Sequence, residues 1–185
     1  AVRAALGRDD LRGLRVAIQG VGNVGYRLAK HLHDAGAVLW VTDLHAPAVD
    51  RAVAEFGATA VAMDAIHALD VDVFAPCALG AILNERSIPQ IRAKVIAGAA
   101  NNQLATPADG RRVLEQGLLY APDYVINAGG IIDIHYEGPG YDEAVVHAHL
   151  QRIGLTLSEI FERSKTSGQP TGEIADAMAE AIFRR

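Results

Sequence analysis

The segment Gly20-Val21-Gly22-Asn23-Val24-Gly25 constrains this chain more than any other stretch of it. It follows a short apolar run, Leu14 to Ile18, and opens a helical pattern from Tyr26 to Ala35. Between a strand and a helix, glycines in this spacing have distinct jobs. The first permits a tight turn, the second lets the backbone approach a pyrophosphate, and the third lets helix and strand pack closely. The helix then points unpaired N-terminal N–H groups at phosphate oxygens. Asp43 closes the next apolar run, Val38 to Thr42, eighteen positions after Gly25. A carboxylate there can accept hydrogen bonds from both hydroxyls of an adenosine ribose and repels a 2′-phosphate. NAD is therefore expected over NADP, with His45 and Arg51 close enough in sequence to blur that preference. The plainer alternative is a Gly-rich turn that binds nothing.

Strand-like runs alternate with helical patterns, which predicts βαβ units and a Rossmann-type α/β fold. The expected architecture is a doubly wound, mostly parallel sheet with helices on both faces, plus a C-terminal helical extension. Strands are expected at 15–19, 38–42, 59–62, 71–75, 94–97 and 118–120. Most are unbroken apolar runs, as when both faces of a sheet are covered. A helix from Asn23 to Ala35 is stopped by Gly36. Thr106-Pro107-Ala108-Asp109 has a capping hydroxyl, Pro at N1 and an acid at N3, announcing a helix to Gln116. Past Tyr141 the pattern becomes one long amphipathic helix, with Val146, Leu150, Ile153, Leu157, Ile160 and Phe161 on one face. Thr171 is expected to cap a second helix striped by Ile174, Met178 and Ile182. The division expected is a connecting-helix end at 1–12, an NAD-binding domain at 13–140 and a helical segment at 141–185, either a cover for the sheet or a strut toward another domain or subunit.

The 185 residues suffice for one good core. A net charge of −5 without any Lys/Arg block argues against a nucleic-acid partner. The single cysteine, Cys77, precludes an internal disulfide and fits a reducing, cytoplasmic setting. No apolar stretch approaches the ~18 residues that span a bilayer, so no membrane partner is expected. Ala1 to Gly7 reads as the last turns of a helix whose beginning lies elsewhere, and no secretion leader is evident.

Three further motifs follow expected strands: Ala75-Pro76-Cys77-Ala78-Leu79-Gly80, Ala97 to Gln103, and Tyr120 to Gly130 with Asn127-Ala128-Gly129-Gly130 at its end. With Gln19 to Gly25 they resemble, collinearly from about Leu11 to Gly140, the amino-acid dehydrogenases acting on glutamate, leucine, phenylalanine and valine. The Cys77 and Asn127 segments look most similar to the leucine dehydrogenases. The resemblance implies reversible oxidative deamination of an L-amino acid to a 2-oxo acid and ammonia with NAD, in a homo-oligomeric parent. It implies that Cys77, Ala78, Leu79, Ala99, Asn101 and Asn102 converge on the nicotinamide ribose and carboxamide, with Asn102 favoured of the two asparagines. Asn127 would reach nicotinamide or substrate. Ile131 and Ile134 would line the substrate side-chain pocket, where bulky aliphatic groups suit a branched-chain substrate; as ordinary core residues they would have no such role.

The resemblance also implies catalytic lysines in a Gly-rich N-terminal domain. Lys30, Lys94 and Lys165 lack that setting, so no catalytic residue is expected in this chain, and the domain that carries them is expected to be missing from it. Asp123 is expected to fix a turn. No metal is expected: His31 with His33, and His147 with His149, are spaced i, i+2 on helices and point apart. Cys77 as a nucleophile would need a base that the sequence does not supply. Two other readings are a non-catalytic nucleotide-binding or assembly module, and a different, self-sufficient Rossmann dehydrogenase.

Overall fold

Strand β1 (Arg15–Gln19) sends Val16 and Ile18 into one layer of the core and Ala17 into the other. That period-two sorting repeats along the computed structural model, which describes residues 1–78 and 80–184. In β4 (Val73–Pro76), Val73 and Ala75 join Val16 and Ile18, while Phe74 joins Ala17. A strand that buries both faces has no polar side to alternate with, which is why the runs are continuously apolar. Leu79 and Arg185 lie outside the described residues, so the expectation placed on Leu79 has no structural counterpart here.

The remaining strands are β2 (Val38–Thr42), β3 (Thr59–Ala60), β5 (Val95–Ile96) and β6 (Leu119–Tyr120). All pairings are parallel, in the order β3-β2-β1-β4-β5-β6. This is the doubly wound Rossmann order, and it reverses direction between β1 and β4. Strands β3 to β6 are shorter or shifted relative to expectation, since pairing stops where each chain peels away into a loop.

Helix α1 (Val2–Leu6) ends at Gly7, and α2 (Asn23–Asp34) descends from the end of β1. Helix α3 (Ala46–Phe56), with Pro at its start, follows β2. Helix α4 (Pro107–Glu115) opens with the expected acid: the Asp109 carboxylate accepts from the Thr106 N–H at 2.9 Å and its hydroxyl at 2.7 Å. Two short helices, α5 (Asp123–Ile126) and α6 (Gly129–Tyr136), lead into α7 (Glu143–Ser167) and α8 (Thr171–Phe183). Asp142 caps α7, its carboxylate accepting the N–H groups of Ala144 and Val145.

Two details correct the sequence reading. Pro170, not Thr171, stands at the start of α8; Thr171 is already helical and buried, and its hydroxyl caps nothing. Ile182 faces solvent instead of extending the apolar stripe of α8. The two C-terminal helices cover the sheet edge: Leu157, Ile160, Phe161, Ile174 and Ala175 form a third core with Ala121, just past β6. Among the described residues no helix is long and apolar enough to cross a membrane.

Candidate functional site

All four sequence motifs emerge at the same edge of the sheet, the carboxyl ends of β1, β4, β5 and β6, flanking the point where strand order reverses. Ligands of open α/β sheets bind there because the loops diverge and leave a crevice.

The loop after β1 is built around close approaches. Gly20 has φ +96°, and a Cβ added to Gly25 would lie 1.9 Å from the Gly20 carbonyl oxygen. Helix α2 can therefore start directly over the strand only with glycine at 25. At Gly22 a Cβ would meet nothing within 4 Å, so packing does not demand glycine there; it leaves open ground at the helix mouth. The first turn of α2 carries no acid and Gly22 offers no side-chain cap, so among the described residues no side chain caps its leading N–H groups. Gly22, Asn23 and Val24 are exposed, whereas Val21 is buried beneath them.

Asp43, at the end of β2, reaches across to this loop. Its carboxylate accepts the Val21 N–H at 2.7 Å and the His45 N–H at 2.9 Å. Arg51, on α3, is drawn away into a cluster of its own. Its guanidinium lies 3.8 Å over the Tyr26 ring, bonds the Tyr26 hydroxyl at 2.8 Å and pairs with Glu55 at 2.8 Å.

Cys77 follows β4, its N–H donating to Gln19 O at 2.7 Å, and sits beside Gly25. Burial pushes its thiol above the usual range, offset in part by a hydrogen bond from the Ala99 N–H. The neutral thiol faces the loop as a small packing group.

The loops after β5 and β6 are tied together. Gln103, fully buried, donates through its side-chain amide to Gly98 O at 2.9 Å and Ala100 O at 3.0 Å, folding the 98–103 turn on itself. Asn102 has φ +53° and lies against Gly80. Asn127 donates to Ala99 O at 3.3 Å and to the side-chain carbonyl of Asn101. The structure thus ties the Asn101 side chain to Asn127, while Asn102 meets Asp123 through its main-chain N–H. Asn101, Asn102, Asp123, Tyr124, Asn127 and Ile131 line a cleft of about 570 Å³ that runs to the start of α8. The Tyr124 hydroxyl donates to Asp176 at 2.7 Å, bringing α8 to this rim, a connection no short-range sequence signal announces.

Ile131 and Ile134 are helical, as their spacing required for a shared direction, and are 76% and 68% exposed. Their reading as core residues fails on that exposure. The histidine pairs are also divided. His33 stacks near Phe56, His147 meets Gln151, and His149 meets Tyr136. All three lysines are exposed, Lys30 pairing with Asp34, Lys94 at the far end of β5 and Lys165 in the last turn of α7.

The family model for glutamate/leucine/phenylalanine/valine dehydrogenases matches residues 42–173. The chain belongs to this family. Leucine dehydrogenase of Bacillus cereus is 49% identical over 97% of the chain and 49% of its own length. Phenylalanine dehydrogenase of Bacillus thermotolerans is 40% identical over 96% of the chain and 48% of its own length. The crystal structure of L-tryptophan dehydrogenase from Nostoc punctiforme superposes with a TM-score of 0.94 at 44% identity, covering 97% of this chain and 55% of that one. The chain thus spans about half the length of these amino-acid dehydrogenases.

Proposed function

We propose that this chain is the NAD-binding half of an amino-acid dehydrogenase that deaminates a branched-chain or other apolar L-amino acid to its 2-oxo acid. The observation that carries the reading is the Gly20–Gly25 loop. It has open space at Gly22, where a Cβ would meet no atom of the described residues within 4 Å, directly before a start of α2 that no side chain among them caps. That is a cradle shaped for a pyrophosphate rather than for a side chain.

The backbone of Gly20 to Gly25 would hold the pyrophosphate and Asp43 the adenosine ribose. The nicotinamide end would fall to Cys77, Ala78, Ala99, Asn101, Asn102 and Asn127. With Arg51 engaged by Tyr26 and Glu55, the carboxylate of Asp43 is left to disfavour a 2′-phosphate, which supports NAD over NADP. When bound, NAD supplies the hydride acceptor for oxidation of an amino-acid Cα–N bond. Ile131, which lines the cleft with Asn127, and Ile134, exposed on the same helix, would face the substrate side chain. The family's activities toward leucine, phenylalanine and tryptophan fit an apolar wall at that point.

The amine chemistry needs a poised lysine, and the three in this chain are solvated groups away from the cleft. We assign that lysine to a domain outside these residues and the whole protein to the cytoplasm. The chain alone is expected to bind NADH and to form none from leucine and NAD. Mixing it with both and following NADH absorbance tests this: a steady leucine-dependent rise would overturn the division of labour.

A further inference from the structure

The geometry points to Asp123 and Tyr120 as a positioning pair that holds the main chain carrying two amides, Asn101 and Asn127, so that together they receive a primary carboxamide. The inference rests on the cofactor reading above and deepens it at the nicotinamide end.

The orientation of Asn127 follows from its partners. A main-chain carbonyl only accepts, so the Asn127 amide nitrogen, not its oxygen, must face Ala99 O. The same nitrogen donates to the side-chain oxygen of Asn101. Both of its hydrogens are then used. Among the described residues, the Asn127 oxygen and the Asn101 amide nitrogen keep no protein partner. The two linked amides thus keep one acceptor and one donor in hand, and a primary carboxamide presents the complementary pair.

Asp123 holds both arms of this arrangement. One of its carboxylate oxygens accepts the N–H of Asn102, which belongs to the peptide joining Asn101 to Asn102. That fixes the plane from which the Asn101 side chain departs, at a turn where Asn102 is in the left-handed region at φ +53°. A non-glycine residue there costs of order 1 kcal/mol and stays only when its surroundings impose it. The main-chain carbonyl of Asp123 accepts the N–H of Asn127 at 3.0 Å, one helical turn on. Tyr120 locks the carboxylate itself. Its hydroxyl donates to the other oxygen of Asp123 at 3.0 Å and accepts the Asp123 N–H at 3.2 Å. Tyr120 is buried at 3% exposure, and Asp123, at 8%, shows only an edge to the cleft with its carboxylate already engaged by Tyr120 and the Asn102 N–H, so the pair acts through the asparagines.

The test is calorimetric binding of NADH and of ADP-ribose to this chain and to its Asp123→Asn and Tyr120→Phe variants. ADP-ribose keeps the adenosine, pyrophosphate and second ribose but lacks the nicotinamide. Wild type should hold NADH more tightly than ADP-ribose. Asp123→Asn should weaken NADH by about tenfold, the loss expected of one well-made hydrogen-bond pair, and leave ADP-ribose within about twofold. Tyr120→Phe removes one hydroxyl and should shift the same ratio in the same direction, which keeps the test available if Asp123→Asn folds poorly. Equal losses on both ligands would make the pair a merely structural prop and overturn the inference. An unchanged NADH affinity in both variants, or a wild type that binds the two ligands equally, would overturn it too. A wild type that binds neither ligand would instead overturn the cofactor reading, and this inference with it.

Discussion

The carboxylate of Asp43 accepts the main-chain N–H of Val21 at 2.7 Å, tying the end of β2 to the glycine loop that follows β1. Two strands that pair side by side thus share one polar clamp at their carboxyl ends. Asp43→Ala should act twice. It removes the ribose acceptor and frees the loop, weakening NADH by tenfold or more while lowering stability by about 1 kcal/mol, the net worth of a hydrogen bond to a partly exposed carboxylate. Thermal denaturation and NADH titration of the same sample check both effects. A variant with unaltered NADH affinity would remove Asp43 from the site.

Gly25→Ala tests the closeness of β1 and α2. The new methyl would collide with the Gly20 carbonyl at 1.9 Å, and backbone cannot give way cheaply. A loss of about 3 kcal/mol is expected, the upper end for overpacking, seen as a lower denaturation midpoint with unchanged m-value. A wild-type midpoint would mean that helix and strand are not in that contact.

Asp72 gives the pH dependence. Burial pushes its carboxyl up, but the Arg15 N–H at 2.9 Å, the Arg15 guanidinium and nearby positive charge outweigh this and hold it below the ordinary value. A depressed carboxyl stabilises the fold above the unfolded value, near 3.9, and that contribution fades as pH falls through the folded one. Asp72→Asn should therefore cost about 1 kcal/mol at neutral pH, discounted for partial exposure. The gap between variant and wild type should close below about pH 4. Denaturant melts across pH measure it, and a constant gap would contradict the assignment.

Cys77 should alkylate slowly. Its thiol is pushed up by burial, so little thiolate exists at neutral pH, and iodoacetamide should react more slowly than with free cysteine. Fast labelling at neutral pH would revive the nucleophile reading that the sequence disfavours for want of a base.

How legible each part was depended on how local its physics is. The Thr106/Asp109 pairing spans three residues and reads directly from the chain. The strands around Ile18 and Phe74 read from unbroken hydrophobicity, but their ends do not, because pairing length depends on the neighbour. Ile131 and Ile134 have a helical spacing that says they share a direction, not whether that direction is solvent, and only the fold supplies their exposure. The tie between Asn101 and Asn127 depends on a turn whose left-handed residue, Asn102, is held by Asp123, 21 positions away and adjacent only because β5 pairs with β6. Helix α3 went unmarked since no single capping side chain announces it.

The most direct test of the dinucleotide cradle is the Gly22→Ala variant, followed by NADH fluorescence titration. A Cβ at position 22 meets no atom of the described residues within 4 Å, and the backbone there has φ −67°, so the variant should fold with wild-type stability. It would nonetheless fill the ground reserved for the pyrophosphate. The account predicts NADH binding by wild type and its loss, by tenfold or more, in Gly22→Ala at an unchanged melting temperature. Equal NADH affinity in both proteins would contradict it, and would mean that the open space before α2 is not where the cofactor lies.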